Sequence, residues 1–188
     1  MGGRWRNQSS KFCQRAEPIG SLLCLMVAIG GAMSEAVELA QKLKSEGEKL
    51  AAFFGGLTDE QWKKEVYTEG SVWTIRSILA HLMASEGSLV KMFDGIRQGG
   101  EGVPEDFVID RYNAHQQEKT KELTLTDLLE QYRSTRGRTV LWVSSLSDSD
   151  LEKIGRHPYL GVTTLREMVK TIYIHNQTHY RDLRRVLK

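Results

Sequence analysis

Leu165-Arg-Glu-Met-Val-Lys-Thr-Ile-Tyr-Ile-His175-Asn-Gln-Thr-His179-Tyr-Arg-Asp-Leu-Arg-Arg-Val186 is an unbroken helical pattern that carries two histidines where apolar side chains belong. Its inward stripe runs Leu165, Met168, Ile172, His175, His179, Leu183 and Val186, spaced by threes and fours as one helical face requires. Thr163 or Thr164 supplies the cap, just after the His157-Pro158 and Gly161 breakers. Residues four apart stand about one turn from each other, so both imidazoles leave the same face at a separation that one metal ion can bridge. A buried polar pair of this kind needs a partner. Ordinary core or surface histidines share this spacing, so the pair points to a metal only if a third ligand joins it.

Three further helical patterns precede this one. Ala36, Ala40, Leu43, Gly47, Leu50 and Phe54 form the first stripe, capped by Ser34, favoured by Glu35 and Glu38 at its positive end, and stopped by Gly55-Gly56. Thr58 to Trp62 reads as a capped helical turn, with a connecting loop from there to Gly70. The second long helix opens near Trp73 and runs through Ile75, Ile78, Leu79, Leu82, Leu89, Phe93 and Ile96 to the Gly99-Gly100 and Pro104 breakers. The third carries Leu125, Leu128, Leu129, Tyr132, Thr135, Thr139, Trp142 and Leu146, with Thr124 or Thr126 as its cap, and Phe107 to Glu122 is a helical lead-in. No sustained alternating pattern competes, and Pro18, Pro104 and Pro158 all fall outside the long helices. The expectation is an all-α fold, a four-helix bundle whose long second and third connections speak against simple up-down-up-down order.

Composition limits the function. The 188 residues, 40% hydrophobic and 27% charged, suit one globular domain with its own core. Arg4, Arg6, Lys11 and Arg15 carry the basic excess, leaving 22 bases and 23 acids from Met33 onward, so a generally basic nucleic-acid surface is not expected. Cys13 and Cys24 are the only cysteines, which excludes a disulfide, a thiolate zinc site or a cysteine nucleophile from residues 33–188. Residues 1–32 form a leader with a polar basic start, an apolar run from Ile19 to Ile29 and small residues after it. That shape fits an export signal, and equally an upstream extension ahead of a start at Met33. The apolar run is too short to span a bilayer.

His81, in Ile78-Leu-Ala-His-Leu82, is the best third ligand, with small Ser77 and Ser85 one turn away on either side. It reads equally as a half-buried histidine satisfied by a nearby acceptor. His115 and His157 read as ordinary surface. Trp73-Thr-Ile-Arg-Ser-Ile-Leu-Ala-His81-Leu, Gly161-Val-Thr-Thr-Leu-Arg-Glu-Met-Val and His175-Asn-Gln-Thr-His179 together resemble the DinB/YfiT-like metalloenzyme family over Met33 to Lys188. The resemblance implies a bundle of unusual helix order with His81, His175 and His179 as the three ligands of a divalent ion, zinc first and nickel second. It also implies a cytoplasmic protein starting at Met33, export being the alternative if residues 1–32 are a signal.

Three neutral imidazoles leave an ion an open position, which suits lowering the pKa of a water or a thiol. Relatives of this kind imply a thiol-dependent S-transferase acting on small electrophiles, with a small-molecule substrate and a low-molecular-weight thiol such as bacillithiol, mycothiol or glutathione. A non-catalytic metal- or ligand-binding bundle is the alternative. Asn176, Tyr173, Tyr180 and Asp182 lie near the ligands in sequence, Asp182 as a residue that can orient one of them. Glu86, five residues past His81, points away, and no general base is assigned. Trp142, Tyr132 and Trp73 are candidates for a pocket wall or for plain core. The basic Arg181 to Lys188 end complements the helix dipole, with neither nucleic acid nor membrane expected as a partner. An amphipathic bundle is compatible with a homodimer.

Overall fold

The computed structural model describes residues 33–188, so the leader lies outside the described residues. Four long helices dominate: α1 (Glu35–Gly55), α3 (Ile75–Arg97), α5 (Leu125–Ser144) and α7 (Leu165–Val186). Between them lie α2 (Asp59–Trp62), α4 (Ile109–Thr120) and α6 (Asp148–Leu151). Among the described residues no helix is long and apolar enough to cross a membrane.

Hydroxyl caps start every described helix except α4, which follows Val108 without a side-chain cap. Ser34 accepts from Val37 N, Thr58 and Thr124 close capping boxes with Gln61 and Asp127, and Thr164 accepts from Glu167 N. Thr124 and Thr164 are thus the caps, rather than Thr126 and Thr163. Thr74 caps α3, whose first residue is Ile75, close to the opening expected near Trp73; Trp73 and Thr74 themselves are extended.

Two apolar clusters give the helix directions. One joins the first half of α1 (Ala36, Leu39, Leu43) to the ends of α3 (Phe93, Ile96) and α5 (Val143) and the start of α7 (Leu165, Met168, Ile172). The other joins the end of α1 (Leu50, Phe54) to the starts of α3 (Ile75, Ile78, Leu82) and α5 (Leu128, Tyr132) and to Leu183 near the end of α7. Hence α1 and α7 run one way and α3 and α5 the other. The main contacts pair α1 with α5 and α7, and α3 with α5 and α7. Neighbours around the bundle therefore follow the order α1, α5, α3, α7, and two of the four neighbouring pairs are parallel. Long connections with their own structure make this order feasible, as expected.

Two short ribbons depart from the all-helical expectation. Residues 63–70, expected as plain loop, contain β1 (Glu65–Tyr67), which pairs antiparallel with β2 (Trp73–Thr74) across a register shift. The segment before α7 forms a hairpin of β3 (Ile154–His157) and β4 (Gly161–Thr164), paired from Ile154↔Thr164 to His157↔Gly161. Gly161 closes its turn at φ +69°, a left-handed conformation that side chains disfavour. Strands of two to four residues are too short to show alternation in sequence.

The lead-in to the third long helix is α4, as expected. Arg76 Nη2 on α3 donates to the carbonyls of Thr120, Lys121 and Leu123 at 2.7–2.8 Å, satisfying the end of α4. Gln117 donates to Ser77 O and Tyr112 to Ser88 Oγ, so α4 is fastened along α3.

Candidate metal centre

His81 on α3 and His175 and His179 on α7 meet although 94 residues separate the first two. His175 Nε2 lies 3.0 Å from His81 Nε2 and 2.9 Å from His179 Nε2. One nitrogen from each ring falls within 4.8 Å of the other two. Two nitrogens bound at tetrahedral angles to a single zinc stand roughly 3.3 Å apart, so these side chains need little movement to share an ion. The stripe reading of α7 and the choice of His81 as third residue are thus consistent with the geometry. His115 is exposed, as expected.

The protonation state also suits ligands. Burial drives the His81 pKa down to about 2, helped by its neighbours His175 and His179 and opposed by the Asn113 side chain, an acceptor that favours the protonated ring. Burial lowers His175 to about 4 and His179 to about 3, with the Asp182 carboxylate partly offsetting the latter. All three imidazoles are therefore neutral at pH 7, with a lone pair available on one ring nitrogen each.

The β1–β2 ribbon walls the cluster. The Trp73 ring meets His81 edge-on at 5.0 Å, and the Tyr67 ring lies 6.4 Å from Trp73 and 5.8 Å from His179. Tyr67 Oη is 2.9 Å from His179 Nδ1 and 2.9 Å from Asp182 Oδ2. Burial and the Asp182 carboxylate raise the Tyr67 pKa, so the phenol keeps its proton. Asp182 thus reaches His179 through a phenol. Tyr67 and Asn113 are absent from the sequence reading. The signal available for Tyr67 is a pair of β-favouring, aromatic-bearing stretches, Val66-Tyr67 and Val72-Trp73, bracketing Gly70.

Other residues near the ligands in sequence have different work. Tyr180 packs edge-on against Phe53, and Lys42 sits over the Tyr173 ring. Asn176 is buried and faces Arg136; the amide orientation that satisfies both of its ends has the oxygen accepting from the guanidinium and the nitrogen donating to Ile172 O at 3.3 Å. Glu86 points away from the histidines as expected, onto Arg136. Tyr132 is core, the Trp142 indole donates to Asp94 at 3.0 Å, and only Trp73 of the three pocket candidates borders the cluster. Arg185 and Arg181 flank Asp182 at 3.7 Å, and Arg184 stacks over Tyr180, so these three arginines lie against neighbours on their own helix.

His157 corrects the expectation of ordinary surface. It is 3% exposed, and its Nδ1 accepts from the backbone N–H groups of Tyr159 and Leu160 at 3.1 Å. The β3–β4 pairing turns alternate residues inward, which places Gly155 against Ile96 and His157 against Phe93.

A family model described as the DinB superfamily matches residues 42–183. The chain belongs to the DinB superfamily. Solved DinB-like structures share the fold at low identity. YfiT from Bacillus subtilis, described as a probable metal-dependent hydrolase with an unusual four-helix bundle topology, aligns with a TM-score of 0.65 and 20% identity over 82% of this chain and 88% of its own. A mycothiol-dependent maleylpyruvate isomerase aligns with a TM-score of 0.66 and 12% identity over 80% of this chain and 61% of its own. The colibactin self-resistance protein ClbS, solved in complex with a dsDNA, aligns at 0.62 and 14% over 81% and 95%. No curated protein matches the chain.

Proposed function

We propose that this DinB protein is a divalent-metal-dependent enzyme whose ion is held by His81, His175 and His179, and that it transfers a small thiol onto an electrophilic small molecule. The observation that carries the reading is the meeting of three neutral imidazoles from two helices, with Nε2 separations of 3.0 and 2.9 Å. Such a cost in buried polar groups is offset when the lone pairs find an ion. When bound, a divalent ion with three histidine ligands supplies a Lewis acid at an open position, where a water or thiol loses its proton near neutral pH.

The chain's own residues supply the rest. No cysteine follows Cys24, so a sulfur nucleophile comes from a cosubstrate. Trp73 limits water on the His81 side, and Tyr67 fixes the orientation of the His179 imidazole. The metal-dependent description of YfiT and the mycothiol dependence of the isomerase support the reading at the level of fold and site type. Zinc is the first expectation and nickel the second, both common imidazole partners. The near-neutral charge balance after Met33 gives no support to a DNA partner.

Elemental analysis of the purified, untagged full chain tests the centre, with His81→Ala and His175→Ala proteins beside it. Near-stoichiometric metal in the wild type, lost from both folded variants, is expected. Metal retained by both variants, or absent from the wild type after reconstitution, refutes the site. A screen of electrophiles with low-molecular-weight thiols then tests transfer. Variants that lose folding stability while the wild type turns over no substrate would favour a non-catalytic metal-binding bundle.

A further inference from the structure

The Tyr67 hydroxyl has one proton and two partners, Asp182 Oδ2 and His179 Nδ1, each at 2.9 Å. An aspartate carboxylate at neutral pH only accepts hydrogen bonds, so the phenolic proton goes to Asp182. Towards His179 the phenol oxygen is then the acceptor, and Nδ1 carries hydrogen. A neutral imidazole protonated on Nδ1 keeps its lone pair on Nε2. That is the atom 2.9 Å from His175 Nε2.

We infer that Tyr67, held by Asp182, is a positioning residue that locks His179 in the tautomer whose Nε2 lone pair faces the histidine cluster. Its purpose rests on the metal centre proposed above, since metal-bound histidines are commonly oriented by a hydrogen bond to the other ring nitrogen. Here the bond comes from outside the helix that carries the ligand. Tyr67 lies 112 residues before His179, on β1, and β2 brings Trp73 against His81. One ribbon thereby braces two of the three imidazoles. Asp182, three residues after His179 on α7, aims the phenol without occupying Nδ1 itself, and Arg181 and Arg185 flank its other oxygen at 3.7 Å.

Nitrogen-detected NMR of the imidazole rings in the metal-free full chain reads the tautomer without any metal. The wild type is expected to show hydrogen on His179 Nδ1. Tyr67→Phe, which keeps the ring, should lose that single tautomer. Asp182→Asn should shift it too, because an amide can donate to the phenol oxygen and release the phenolic proton towards Nδ1. In competition with a chromophoric chelator, zinc affinity of Tyr67→Phe should fall about 10- to 100-fold with circular dichroism unchanged. A His179 tautomer unaltered in both variants, or hydrogen on Nε2 in the wild type, overturns the inference. Failure of every protein to bind zinc while the tautomer still shifts supports Tyr67 and removes the metal reading alone. Should Tyr67→Phe fail to fold, Asp182→Asn carries the same test.

Discussion

Arg136 Nη2 donates to Glu86 Oε2 at 2.6 Å, with both side chains at most 6% exposed, in the layer between the two apolar halves of the core. All four long helices meet at this pair. Arg136 Nη1 donates to Leu43 O on α1 at 2.8 Å, Glu86 comes from α3, Arg136 from α5, and Asn176 on α7 accepts from the same guanidinium. A buried ion pair adds little net stability compared with apolar residues, but removing one member strands a charge.

Arg136→Met should therefore destabilise the protein by roughly 3–5 kcal/mol, while Glu86→Leu combined with Arg136→Met should recover most of that loss. Urea denaturation of the two variants measures both. A single variant as stable as the wild type would mean that the layer is hydrated rather than buried.

Gly47→Ala inverts the usual sign. In an exposed helix interior this change stabilises by about 1 kcal/mol. Here a Cβ at residue 47 would stand 2.6 Å from Arg136 Cγ, and that side chain is fixed at its far end by its bonds to Leu43 O and Glu86 and by Asn176. A loss of about 1–3 kcal/mol is expected, read from the same denaturation curves.

His157 makes the protein sensitive to acid. Burial, with His175 nearby, lowers its pKa from 6.5 to about 4 in the folded state. Above pH 6.5 both folded and unfolded forms are neutral and the group contributes nothing. As pH falls from 6.5 to about 4 the unfolded chain binds a proton that the folded one refuses, so stability drops by up to about 3 kcal/mol. His157→Asn, whose amide oxygen can accept from Tyr159 and Leu160, should make the decline between pH 6.5 and 4.5 shallower by one proton's share, the three site histidines keeping theirs. An unchanged slope in chelator-treated protein would count against a buried neutral His157.

Metal uptake should release almost no protons from the protein at pH 7. Histidines with pKa values pushed down to about 2, 4 and 3 are already deprotonated there. Calorimetry of zinc binding in two buffers of different ionisation enthalpy should therefore give heats that differ by no more than the one proton an ion-bound water can lose. A difference larger than the single proton that an ion-bound water can lose would show that at least one imidazole is charged before binding.

Much of the bundle was legible because its signals are local. The stripe Ala36, Ala40, Leu43, Gly47, Leu50 and Phe54 is buried throughout, and the hydroxyl caps and glycine stops set helix ends from side chains within one turn. The polar pair in the α7 stripe marks the candidate centre by violating the apolar pattern. The ribbons gave no comparable signal, since two to four residues cannot establish a period, and so the His157 burial was missed along with the wall around the histidines.

By itself, then, the sequence determined four amphipathic helices, their caps and the one face on which His175 and His179 stand, because each depends on neighbours within a turn or two of chain. Only the tertiary structure decided which helices touch, that α3 brings His81 to α7, that Arg136 is buried against Glu86, and that Tyr67 joins His179 to Asp182. Those relations join residues 50 to 115 positions apart, and packing of whole helix faces and ribbon register fix them, which no local pattern encodes.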